Sequence, residues 1–173
     1  MITNEKLERV RGWFTGRLPE EWRVSAPEIN VDREEITVLL KVADVDLPED
    51  VSEAEADEAR AGRVKAFREE TREHRIEIAR EAQHRFDRKV SWGVYVGEYG
   101  ELFTHVAAPV MTRLRQPQRQ VLDTLVDAGV ARSRADALAW CVRLVGQHES
   151  DWLGELRDAT THVADVAGKG PDA

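Results

Sequence analysis

With 173 residues, 42% of them hydrophobic and 34% charged, the chain has a globular composition and enough length for one sizeable core or two small ones. No apolar run approaches the roughly 20 residues of a membrane span, MITNEKLERV lacks the layout of a signal peptide, and a single cysteine, Cys141, excludes an internal disulfide, so a cytoplasmic location is expected. The net charge of -8 argues against broad, non-specific nucleic-acid binding.

In chain order, residues 4 to 18 carry Leu7, Val10, Trp13, Phe14 and Leu18 on one helical face, with Asn4 as a candidate cap. LPEEWRVSAPE is turn-rich, and EEITVLLKV (34–42) reads as a strand from its β-branched content. Residues 44–58 hold eight acids (Asp44, Asp46, Glu49, Asp50, Glu53, Glu55, Asp57 and Glu58) and no base, so removing them from -8 leaves the rest of the chain near zero. That stretch reads as a solvated loop leading into a helix. From about Ala54 to Arg88 a long helical pattern places Val64, Phe67, Thr71, Ile78, Ala82 and Phe86 on one side and many Glu and Arg on the others.

KVSWGVYV (89–96) and ELFTHVAAPV (101–110) are extended runs either side of GEYG, a hairpin signal. The chain therefore predicts an α+β fold, with an α-β-α-β-β domain over 1–107 built on one mixed or antiparallel sheet. Residues 108–168 predict a strand-helix-helix-helix segment, and 169–173 a disordered tail. Pro117 suits a first helical turn and Gly129 a helix end; Ser133 caps the next helix, with Asp136 completing a capping box in its acidic variant. Leu138, Cys141, Val142 and Val145 give that helix its apolar face, and Trp152, Leu153, Leu156 and Val163 mark a last helix. Among the five tryptophans, most are expected in cores, while Trp22, like Tyr99, lies in a turn region and is a candidate partner surface.

VMTRLRQ, QVLDTLVDAGVA and SRADALAWCVRLV together resemble the ribbon-helix-helix (MetJ/Arc-like) family of bacterial DNA-binding proteins, over about residues 108–146. The resemblance implies an obligate dimer whose paired ribbons enter the DNA major groove, and a transcriptional or chromosome-binding role. Here the ribbon follows about a hundred residues rather than opening a short chain, Thr112 occupies an ordinarily apolar position, and Pro109 precedes it. Strand alternation sends Val110, Thr112 and Leu114 one way and Met111, Arg113 and Arg115 the other. Arginine forks suit guanine edges and phosphate, and the free N–H groups beside Ser133 and Arg134 suit a phosphate. The expected DNA-binding residues are Arg113, Arg115, Arg119, Ser133 and Arg134. From Val106 to Trp140 five arginines (Arg113, Arg115, Arg119, Arg132, Arg134) against three acids (Asp123, Asp127, Asp136) give a local +2, so the acidic total leaves room for a basic face.

Other chemistry finds no support in the sequence. Glu81 and His84 have the Glu-x-x-His spacing of di-iron bundles, but no second such motif accompanies them, and with Glu73 and Glu77 they read as a solvated face. Cys141 lies among apolar neighbours with no histidine placed to activate it. Neither a metal, nor a cofactor, nor an enzymatic activity is expected. Two functions remain: a dimeric DNA-binding regulator whose N-terminal domain senses a ligand or protein partner, and a non-enzymatic interaction module whose helices dimerise or dock on another protein. The whole chain also resembles an uncharacterised actinobacterial family, which implies no activity.

Overall fold

The computed structural model describes residues 3–48 and 50–169. The chain divides into two compact units, Met1–Ala108 and Pro109–Ala173. The first contains α1 (Asn4–Arg17), a 3-10 turn at Glu20–Trp22, β1 (Glu28–Val31), β2 (Glu35–Val42), α2 (Glu53–Glu70), α3 (Arg72–Phe86), β3 (Lys89–Val96) and β4 (Tyr99–Leu102). The strands form one mixed sheet in the order β1-β2-β3-β4, parallel between β2 and β3 and antiparallel at both edges. A parallel pair needs a long crossover, and α2 with α3 supplies it.

Period-2 alternation sets the core. Ile36, Val38, Leu40 and Val42 of β2 are buried, and their register partners Val90, Trp92, Val94 and Val96 on β3 stand on the same side of the sheet. Val10, Phe14 and Leu18 from the first helix and its cap, and Val64, Phe67, Ile78 and Ala82 from α2 and α3, complete this cluster. Aromatic edges tie it together: Phe14 meets Trp92 and Trp22 meets Phe67, both near perpendicular.

Several expectations need correction. Thr3, rather than Asn4, caps α1, its Oγ1 accepting from the Lys6 N–H. β1 had no sequence signal strong enough to stand out: four residues, alternating only at Ile29 and Val31. The long helix breaks at Thr71, where Thr71 Oγ1 adds a second bond to the Phe67 carbonyl at 2.6 Å, beside that from the Thr71 backbone N–H, and the Arg75 side chain takes the Arg68 carbonyl at the end of α2. The strand expected over 101–110 stops at Leu102. Past Phe103, whose N–H still donates to the Trp92 carbonyl, come two alanines of low β propensity and Pro109, which has no N–H for a ladder. Trp22 is buried in the core rather than offered to a partner, and Tyr99 packs half-buried against the same cluster.

β3 and β4 join through a two-residue turn, Gly97 and Glu98, with Val96 paired to Tyr99. Gly97 has φ +57°, and glycine at the first central position is what a type II′ hairpin requires.

The second unit contains α4 (Gln116–Asp127), α5 (Arg134–His148) and α6 (Ser150–Lys169). α4 ends in a Schellman motif: Gly129, at φ +73°, donates to the Val126 carbonyl while Val130 donates to that of Leu125. Leu122, Ala131 and Ala137 form the buried centre, with Leu114, Leu125, Val126, Leu138 and Cys141 half-buried around them. Of the apolar faces expected on α5 and α6, Leu138 and Cys141 are packed, but Val142, Val145, Trp152, Leu156 and Val163 are exposed. Lys169 closes α6, and residues 170–173 of the expected tail lie outside the described residues. Among the described residues no helix is long and apolar enough to cross a membrane.

Candidate nucleic-acid interface

Residues 110–115 are the expected ribbon. Among the described residues they form no strand ladder, since a strand needs a partner and the backbone pairings of the sheet run only between β1, β2, β3 and β4. At the end of the segment the backbone is nevertheless extended, with Arg115 at φ -79° and ψ 167°. Alternation is realised at its C-terminal half: Leu114 packs on the α4–α5 core while Arg113 and Arg115 are exposed. Val110 and Thr112, expected to face the same way as Leu114, are exposed, as is Met111 at 98%.

Two hydrogen bonds fix where the segment meets α4. The Arg115 N–H donates to Gln118 Oε1 at 2.9 Å, satisfying a donor at the helix start, and an Arg119 Nη donates to the Leu114 carbonyl at 2.7 Å. Arg119 thus holds the segment through its backbone rather than standing free. Neither Arg113 nor Arg115 has a side-chain partner among the described residues.

The α5 N-terminus is differently occupied. Ser133 Oγ accepts from the Asp136 N–H at 3.2 Å, the expected cap, while the Asp136 carboxylate reaches one residue further back than a capping box, to the Arg132 N–H at 3.0 Å. That bond, with the Arg132 charge, holds the Asp136 pKa below the usual carboxylate value. Arg134 forms a two-pronged pair with Asp123 of α4, 2.6 Å from Nε to Oδ1 and 2.8 Å from Nη2 to Oδ2. Two carboxylates, Asp123 and Asp136, therefore stand where a phosphate was expected. The helix start remains a donor-rich end, but its charge is already balanced.

Of the five residues selected from the sequence, Arg113, Arg115 and Arg119 lie in or beside one short segment, whereas Ser133 caps α5 and Arg134 ties α5 to α4. Sequence reasoning missed Arg75. It is buried at a position that continues the apolar stripe Val64, Phe67, Thr71, Ile78, and a basic residue on such a stripe was the available signal. Among the described residues no group of three or more histidine, cysteine or acidic side chains is arranged to hold a metal ion.

Fold and site together define a two-unit α+β protein, a mixed sheet with its helices in one unit and a helical second unit preceded by a short segment that carries Arg113 and Arg115. The chain belongs to the Rv1265/Mb1296-like family: residues 8–102 match the Rv1265-like protein, N-terminal domain, and residues 115–167 the Mb1296 C-terminal domain. It is 60% identical over 160 residues, 92% of this chain and 69% of the relative, to the uncharacterized protein Mb1296 of Mycobacterium bovis. The same figures hold for the uncharacterized proteins MT1303 and Rv1265 of Mycobacterium tuberculosis. No solved structure matches it.

Proposed function

We propose that the second unit is a dimerising DNA-binding module of ribbon-helix-helix type, placing the protein among cytoplasmic transcriptional or chromosome-binding regulators. One observation carries this reading: segment 110–115, which ends in extended backbone at Arg115, pairs with no strand among the described residues, exposes Arg113 and Arg115, and is anchored by Leu114 to the helix pair that follows it. Apart from the Leu114 carbonyl and the Arg115 backbone, which α4 engages, its backbone donors and acceptors are open, among the described residues, to a second copy of itself. Pairing would align four guanidinium groups, two from each chain, on one ribbon of the size a major groove admits.

The modest core of this unit supports dimerisation. Leu122, Ala131 and Ala137 are its fully buried apolar residues among those described, and two of the three are alanines. A small unit with so little burial gains its stability by association. Exposed apolar side chains on α5 and α6, with Val142 66% and Trp152 55% exposed, are the surface left for it. That same surface favours the second reading, a non-enzymatic module docking another protein.

The deciding experiment compares wild type with Arg113→Ala/Arg115→Ala on genomic fragments across a salt series. The DNA reading expects the variant to keep its mass and thermal stability, to lose specific fragments, and to show a shallower dependence of affinity on salt, since fewer counterions are released. Equal fragment retention by both proteins at low salt overturns it, and dimerisation without retention by either favours protein docking.

A further inference from the structure

The break between α2 and α3 opens a cleft in the first unit. It has a volume of about 540 Å³, and Lys65, Arg68, Arg72 and Arg75 line it together with Phe103, against two carboxylates, Glu69 and Glu101. Positions 65, 68, 72 and 75 follow each other by three, four and three residues, so one stripe of the broken helix is basic.

Arg75 is the unusual member. Only 7% of it is exposed, and burying a charge is costly unless a counter-charge accompanies it. Its Nε donates to Thr71 Oγ1 at 3.0 Å, its Nη2 to the Arg68 carbonyl at 2.6 Å, and its guanidinium carbon lies 4.9 Å from the centre of the Phe103 ring. All three partners are uncharged. Burial, then repulsion from Arg68 and Arg72, brings the Arg75 pKa down to about 10. Among the neighbours, Arg68 pairs with Glu101 at 3.5 Å and Arg72 with the exposed Glu73 at 2.7 Å. Stapling the helix break uses two nitrogens of Arg75, and among the described residues no carboxylate pairs with its charge.

We propose that this cleft binds a small molecule bearing a phosphate group, with Arg75 anchoring the oxyanion from below, Lys65 and Arg72 supplying further positive charge, and Phe103 and Ile76 packing the organic part. Several cations against one pocket suit a dianion better than a monocarboxylate, and the guanidinium fork matches phosphate oxygens. The volume is more than a bare phosphate fills and falls in the range of about 300–1,000 Å³ typical of organic-ligand pockets. The site stands whether or not the second unit binds DNA.

Titrating the full chain with phenyl phosphate and, separately, inorganic phosphate, at ionic strength held constant with chloride, tests the proposal by backbone amide shifts. Both probes should move amides of residues 61–76 and 101–104 saturably, and phenyl phosphate should bind the tighter. Lys65→Gln/Arg72→Gln, at two exposed positions, should keep the melting temperature and weaken phenyl phosphate by about tenfold or more. Arg75→Met should abolish saturable binding while keeping a similar volume in the core. The proposal is overturned if chloride alone reproduces the shifts, or if the double variant binds as wild type does. It is equally overturned if a duplex oligonucleotide moves these amides and phenyl phosphate does not, which would make the cleft a nucleic-acid surface.

Discussion

Arg134 at the start of α5 grips Asp123 of α4 through both carboxylate oxygens, at 2.6 and 2.8 Å. The residue that looked like a phosphate anchor is thereby committed to holding two helices together, and the DNA reading rests on Arg113 and Arg115. The Arg134 hydrogen bond, before any other influence, lowers the Asp123 pKa. A carboxyl with a depressed folded pKa contributes stability above its unfolded value, about 3.9 for aspartate, and that contribution disappears as pH falls through the lower folded value. Urea midpoints of wild type and Asp123→Asn should therefore differ near neutral pH and converge in acid. A gap that stays constant through the acid range would show that the pair adds nothing through its charge.

Gly97 occupies a turn in which a side chain would be strained. Its φ is +57°, and a Cβ there would lie 2.6 Å from Asp44 Oδ2 and 2.8 Å from Arg60 Nε. Those two groups form the ion pair that ties the start of the acidic loop to α2, at 3.0 Å in each prong. Gly97→Ala should cost about 1–3 kcal/mol from backbone strain, with further loss if the ion pair is pushed apart. Thermal unfolding followed by circular dichroism measures it, and an unchanged melting temperature would contradict the assignment of this turn.

If association covers the exposed apolar side chains of α5 and α6, a charge among them should separate the copies and lower the melting temperature of the second unit, while the first unit stays folded. Val142 is 66% exposed and lines a shallow groove with Val145 and Leu153, so Val142→Glu removes little packing within the chain. Sedimentation should show wild type as a dimer whose melting temperature rises with concentration, and Val142→Glu as a monomer. A dimeric Val142→Glu would place the interface elsewhere, the ribbon included.

Strong periodicity and caps made much of this architecture legible. Ile36, Val38, Leu40 and Val42 announced β2 by alternation, and Ser133 marked the start of α5, because each feature is satisfied within a few residues of itself. β1 was not legible, since its four residues become a strand only by pairing Glu28 to Val31 with Leu39 to Ile36. The length of 101–110 misled for the opposite reason: its apolar residues matched the pattern while Ala107, Ala108 and Pro109 could not sustain a ladder. For the candidate site, the sequence singled out Arg113 and Arg115, which the structure leaves exposed, but could not show that Asp123, eleven residues before Arg134, would take that arginine for packing. Arg75 was legible only as a basic residue on the buried stripe Val64, Phe67, Thr71, Ile78; that it would bond the Thr71 hydroxyl and the Arg68 carbonyl was not, because those partners depend on the break at Thr71.

The role of Thr71 in that break can be measured directly. Its hydroxyl is buried, donates to the Phe67 carbonyl at 2.6 Å and accepts from Arg75 Nε at 3.0 Å, so one small group serves both the helix end and the buried guanidinium. Thr71→Val keeps the shape and removes the hydroxyl. The Phe67 carbonyl still accepts from the Thr71 backbone N–H, whereas Arg75 Nε is left as a buried charged donor without a partner. Leaving such a donor unsatisfied costs about 1–3 kcal/mol, so Thr71→Val should lower the stability of the first unit by that amount. Thr71→Ser, which keeps the hydroxyl and loses a methyl, should cost less. If both substitutions cost the same, methyl packing and not the hydroxyl holds the break, and the account of why α2 ends at Glu70 fails.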